Sequence, residues 1–264
     1  MYRWLAAILF LAAMVPAIGA GGASTPTSAL CRQERPLVRE LWHRGLYDAP
    51  TGADDVVVAA IDGDVTKTRQ ALDALPPSEV ARWRQVAMYT AAEQGQIAVV
   101  DALLDDGAPV DGSAEMPPLN SALYERTVDA LSHQPPFDAK AVKRMQALGI
   151  VSNQPQESGP PIFAAIGCND LAIVKLLLRY HIDPKSGSPT PKSIDPFISA
   201  VIFGEAEITG AFLDYGADPC IEDDRLRRNA AAIHHPPHTL ANIGQRAGLS
   251  AALVKRLECH ATRQ

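Results

Sequence analysis

The residues with the richest donor chemistry lie near the C-terminus. His234-His235-Pro236-Pro237-His238 brings three imidazoles close together, and Cys259-His260 follows. Imidazole nitrogens and thiolates are the donors that zinc and copper take. The spacing argues against a built site: the double proline makes a loop, and neither an H-x3-H helix face nor a C-x2-C knuckle is present. A solvated loop is the expected reading, with a metal site its alternative. The chain holds no nucleophile elbow, no phosphate-binding glycine loop, no HExxH and no paired-cysteine redox motif. The close carboxylates Asp105-Asp106 and Glu222-Asp223-Asp224 fall at helix ends and in loops, where solvated faces are expected. The expectation is a protein without catalytic residues, cofactor or resident metal.

The four cysteines, Cys31, Cys168, Cys220 and Cys259, make the compartment matter. Met1-Tyr2-Arg3 is a short positive start, Trp4 to Val15 is apolar, and Pro16 to Ser24 is mostly small residues. This is the pattern of a secretory signal over 1–24, with cleavage expected between Ala20 and Ser24. The apolar run falls short of the roughly 20 residues that a spanning helix needs, so no stable membrane span is expected after cleavage. Leu30 stands where a lipidated Cys31 would need a small residue, which argues against a lipoprotein. An exported protein, periplasmic or secreted, follows as the expectation, and in that setting the cysteines can pair. Four cysteines allow three pairings, which spacing alone leaves open. The net charge of −6 argues against nucleic acid, since binding phosphates requires a basic stripe.

The elements that position these residues are repeated helix pairs. In 86–111, Ala91-Ala92 lies on a first helix, Gly95 breaks it, Val99-Val100 and Leu103-Leu104 sit on a second, and Gly107-Ala108 ends it. Such a pair cannot bury both apolar sides alone and needs copies beside it. Copies follow the same order. At 54–75, Ala59-Ala60, Gly63 and Ala71-Leu72 recur, closing on Leu75-Pro76-Pro77. At 117–152 a third copy begins with Leu119-Asn120-Ser121-Ala122-Leu123 and carries an insertion at 127–138. At 160–184 and 195–219 stand PPIFAAIGCNDLAIVKLLLRYHIDP and DPFISAVIFGEAEITGAFLDYGADP. Taking Val56, Met88, Leu119, Ile162 and Phe197 as equivalent, the separations are 32, 31, 43 and 35.

These residues resemble the ankyrin-repeat motif, a T-P-L-H start, an Ala-Ala, a Gly turn, V-V-x-L-L-L and G-A-D. Here it stands as Pro161-Ile162, Ala165-Ile166, Ile173-Val174 and Leu176-Leu177-Leu178, and again as Pro196-Phe197 and Gly216-Ala217-Asp218. The motif histidine is replaced throughout, by Val57, Tyr89, Asn120, Phe163 and Ile198, so apolar packing must do the work of the family's Thr-His bracing. The resemblance implies an all-α solenoid of about five repeats over 54–221. A capping segment over 25–53 precedes it, with a helix over 34–45 whose apolar side is Leu37, Val38, Leu41 and Trp42. A capping repeat over 222–264 ends it, with helices over 239–247 and 251–257, Gly248 as stop and Ser250 as N-cap.

In a stack, Cys220 after a repeat turn and Cys259 at the end of the last helix belong to neighbouring units, which favours a Cys220–Cys259 bridge. Cys168 reads as a small apolar residue of its repeat, or one poised near the surface. In the family, the two positions after the Ala-Ala slot face the concave binding surface. Carried over, these are Ile61-Asp62, Glu93-Gln94, Tyr124-Glu125, Gly167-Cys168 and Ile202-Phe203. Asp62, Glu93, Gln94, Tyr124, Glu125, Ile202 and Phe203 are therefore the expected partner-binding residues, acids toward one end and apolar anchors toward the other. The resemblance implies a non-catalytic scaffold for one protein partner, in an immunity-type or adaptor role. The alternative is a periplasmic metal- or redox-stress protein using His234, His235, His238 and the cysteines.

Overall fold

The computed structural model describes residues 38–118, 156–180, 195–220 and 239–259. Residues 38–43 form helix α1. Its Val38, Leu41 and Trp42 are buried, as their spacing predicts. Trp42 stacks on Tyr47 with ring centroids 3.9 Å apart and meets Trp83 edge-on at 6.0 Å. Offset and edge-on pairs of this kind are the favoured aromatic geometries, and they anchor the start of the described chain to a later helix.

Among the described residues five helix pairs follow: α2 (Ala53–Asp62) with α3 (Val65–Asp73), α4 (Pro77–Glu93) with α5 (Ile97–Asp105), α6 (Pro161–Gly167) with α7 (Leu171–Arg179), α8 (Pro196–Phe203) with α9 (Ala206–Asp214), and α10 (Leu240–Arg246) with α11 (Ala251–Arg256). Prolines 77, 161 and 196 open α4, α6 and α8, where a missing N–H costs nothing and the fixed φ suits a helix. Asp64, Asp170 and Ser250 cap α3, α7 and α11, their side chains accepting from the backbone N–H groups of Lys67, Ala172 with Ile173, and Leu253.

Each pair reverses by the same device. The backbone N–H groups of Asp64, Gln96, Asp170, Glu205 and Leu249 donate to the carbonyls of Ala59, Ala91, Ala165, Ala200 and Gly244, at 2.8–3.1 Å. This bond closes a helix through a left-handed residue, supplied by a glycine in four pairs and by Asn169, at φ 51°, in the pair α6–α7. Asparagine is among the few side chains that take this conformation routinely. Gly63 is required twice over. Its φ is 77°, and a Cβ there would stand 2.6 Å from Gln96 Oε1. The Gln96 amide donates to the Ile61 carbonyl, tying the second pair to the first.

The first helices form one layer, α2 on α4, α4 on α6, α6 on α8 and α8 on α10. The second helices follow the same order in another, α3, α5, α7, α9, α11. Small buried residues at Ala60, Ala91, Ala165 and Ala200 let helices of the first layer approach, since interaxial distance follows the side chains at the contact. Larger ones, Met88, Ile162, Phe197 and Phe212 among them, fill the space between layers.

Two expectations differ from what is observed. A two-stranded antiparallel ladder, β1 (Ala114–Met116) with β2 (Gln156–Ser158), pairs Ala114 with Ser158 and brackets 117–155. The sequence pattern signalled no strand there, because each is only three residues long and its partner is remote in sequence. The unit at 117–152 was expected between its neighbours in the stack. Instead α4 packs directly on α6 and α5 on α7, so no layer separates them. Residues 119–155, with the insertion at 127–138, lie outside the described residues, as does the expected signal at 1–24. Among the described residues no helix is long and apolar enough to cross a membrane.

Candidate interaction surface

The ends of the first helices carry most of the residues expected to meet a partner. Asp62 closes α2 and is exposed. It accepts two bonds from Arg39, Nε to Oδ1 at 2.6 Å and Nη2 to Oδ2 at 2.7 Å. An exposed pair of this kind contributes little to stability, and it leaves Asp62 at the surface, already engaged.

Glu93 and Gln94 end α4 in different surroundings. Gln94 is 2% exposed, so its amide is not offered to a partner, contrary to the expected placement. Its side chain bonds to Glu93, which is half-buried. Burial raises the Glu93 carboxyl above its usual value, and the bond from Gln94 partly offsets this. Tyr47 and Tyr89 feel the Glu93 charge, and burial pushes both phenols well above their usual range. Tyr89 is also hydrogen-bonded to Ser158 at the end of β2. Burial, not the Gln94 amide, is what favours the neutral form of this carboxyl. Tyr47 brings the 45–50 loop, and Tyr89 through Ser158 brings β2, to this end of α4. Sequence pattern places Glu93 at a helix end; Tyr47, which feels its charge, and Ser158, which bonds Tyr89, come from distant segments and give no local signal.

Ile202 and Phe203 end α8 and part ways. Ile202 is half-buried and packed against the core. Phe203 is 44% exposed. The reason is the reversal itself: at Gly204 the chain turns away, with a Cβ position only 2.6 Å from the Ala247 carbonyl oxygen, and the last side chain before the turn faces outward. Ile97 and Tyr215 are the other large apolar residues exposed among the described residues. Tyr124 and Glu125 lie outside the described residues.

Carboxylates expected to be merely solvated act as ties between pairs. Asp106 accepts from Arg69 on α3 at 2.7 and 2.9 Å. Tyr180, after α7, donates to Asp105 at 2.6 Å and lies 3.0 Å from Asp101, both on α5. Arg256 on α11 reaches Asp214 on α9 at 2.7 Å. Each joins consecutive second helices, a relation that local sequence does not display.

Cys220 and Cys259 are joined by a disulfide. Cys168 is disulfide-bonded as well, which corrects its reading as a small apolar or poised thiol. Its place at the end of α6 says nothing locally about what lies beside it. His234, His235, His238 and His260 lie outside the described residues. Among the described residues no group of three His, Cys, Asp or Glu side chains is arranged to hold a metal.

A shallow cleft of about 340 Å³ opens beside α2, lined by Trp42, Gly45, Tyr47, Pro50, Thr51 and Asp54 with their neighbours. Asp54 and Asp55 stand in the first turn of α2, where the helix dipole favours acids without any ligand. No protein-family model matches the chain, and no curated protein matches it.

Proposed function

We propose that the chain is an exported, non-catalytic scaffold of ankyrin type that holds one protein partner, in an immunity-type or adaptor role. The observation that carries this reading is the repeated unit. One reversal bond recurs in five helix pairs among the described residues, and like helix packs on like in sequence order within each layer. Stacks of this kind present extended surfaces made from helix ends and turns. Two disulfide-bonded sites support the exported setting, since disulfides persist in oxidising compartments. Phe203 is the anchor we assign to the partner, with Asp62 at the rim. Gln94 drops out because it is buried, and Ile202 contributes through the core rather than through contact.

Phe203→Asp tests the reading. A buried aromatic anchor is worth about 2 kcal/mol or more to binding, which is roughly thirtyfold in affinity. The expected outcome is a loss of that size in capture of the partner from a periplasmic extract, with the melting temperature of the variant close to that of the parent. Unchanged capture by a folded variant removes Phe203 from the surface. Ile202→Asp serves as the contrast and is expected to lower the melting temperature, because it buries a charge at the core margin.

A further inference from the structure

The Cys220–Cys259 bridge joins parts of unequal robustness. Cys220 follows the pair α8–α9, and Cys259 follows α11, 39 residues later. The helices it retains, α10 and α11, are seven and six residues long, far below the roughly 12–15 residues at which an isolated helix becomes even marginal. They are therefore helical because they are docked.

Among the described residues they pack on α8 and α9 alone, whereas α4 and α5 pack on neighbours at either side. Leu240, Ala241, Leu249, Leu253 and Leu257 are their buried apolar residues. Gly244 lets α10 close on α8: a Cβ there would stand 2.9 Å from Leu257 Cδ1 and 3.6 Å from Val201 Cγ1. The ion pair Arg256–Asp214 is exposed on both sides, and pairs of that kind add little.

Access differs among the three described cysteines. Cys259 is exposed and Cys220 half-buried, while Cys168 is 8% exposed at the end of an inner helix. Attack on a disulfide needs a clear path to one sulfur.

We propose that the Cys220–Cys259 disulfide is a reducible latch: when a dithiol reduces it, α10 and α11 leave the face of α8 and α9 while the rest of the stack stays folded. The dithiol's thiolate attacks the Cys259 sulfur, the Cys220–Cys259 bond breaks, and Cys220 departs as a thiolate that takes a proton. The second thiol of the reductant then displaces Cys259 and closes the reductant's own disulfide. Two electrons pass to the protein, both cysteines end as thiols, and the face of α8 that carries Val201 loses its cover.

Graded reduction of the full chain with dithiothreitol tests the latch, read by differential alkylation with peptide mapping and by hydrogen exchange. Cys220 and Cys259 are expected to become alkylated at lower dithiothreitol than Cys168. Exchange over 240–257 should then accelerate by about tenfold or more, with α2–α5 within about twofold of the oxidised protein. Cys220→Ser combined with Cys259→Ser should show the same fast segment without reductant. Unchanged protection over 240–257 with both thiols alkylated overturns the proposal. So does prior reduction at Cys168, and so does loss of protection spreading through α2–α5.

Discussion

Burial raises the Glu93 carboxyl, so the folded chain keeps a proton there that the unfolded chain gives up at lower pH. Below the ordinary glutamate value of 4.5 both states are protonated and Glu93 costs nothing. As pH rises above that value the unfolded state ionises first, and stability falls until the folded carboxyl ionises too. The full cost remains at every higher pH. Glu93→Gln keeps the shape and removes the titration. The variant is expected to melt at a higher temperature than the parent at pH 8 and at nearly the same temperature at pH 4. A variant no more stable at pH 8 would show that the proton has no energetic role. Gln94, which bonds Glu93, was legible as the last residue before a glycine turn. Its burial was not, because the 45–50 loop and β2 reach this region from distant parts of the chain.

The reversal between helices is the element most fully written in the sequence. Ala-Ala, then a glycine three residues on, marks a position that the backbone bonds from Asp64 and Gln96 share. Two glycines separate the components of such a turn. Gly63 needs both its positive φ and the space taken by Gln96, whereas a Cβ at Gly107, also at positive φ, meets nothing within 4 Å. A left-handed non-glycine residue costs about 1–2 kcal/mol, so Gly107→Ala is expected to lose about that much in urea denaturation. Gly63→Ala should lose more, because it also displaces the Gln96 amide from the Ile61 carbonyl. Equal losses would mean that the Gln96 tie carries no stability. The order of the elements was less legible than their kind. A period can identify a third copy of the motif at 117–152, yet it cannot reveal that α4 and α6 touch directly. That contact is made between helices separated by the whole stretch, whose two ends are drawn together by the three-residue strands.

A molecule built from stacked pairs should not open all at once from every point, because each pair leans only on its neighbours. The inner pair α4–α5 has partners on both sides, and Val86, Met88, Ala91 and Ala92 at its centre are fully buried. It is also tied outward by Gln96 to Ile61 and by Asp106 to Arg69. Among the described residues α10 and α11 have a neighbour on one side, and the disulfide adds a further constraint. Closing a loop of 39 residues is worth about 4 kcal/mol in the chain-entropy account. The oxidised protein is therefore expected to show a gradient in native-state hydrogen exchange. Amides of α4 should be the slowest, open only with global unfolding, and those of α11 the fastest among the helices, with α8–α9 between them. Measured across increasing denaturant, the α11 amides should keep an opening free energy below the global value, while those of α4 converge with it. Equal protection from α2 to α11 would instead describe one cooperative core. That result would contradict a repeat stack whose end pair is held by local contacts and one bridge.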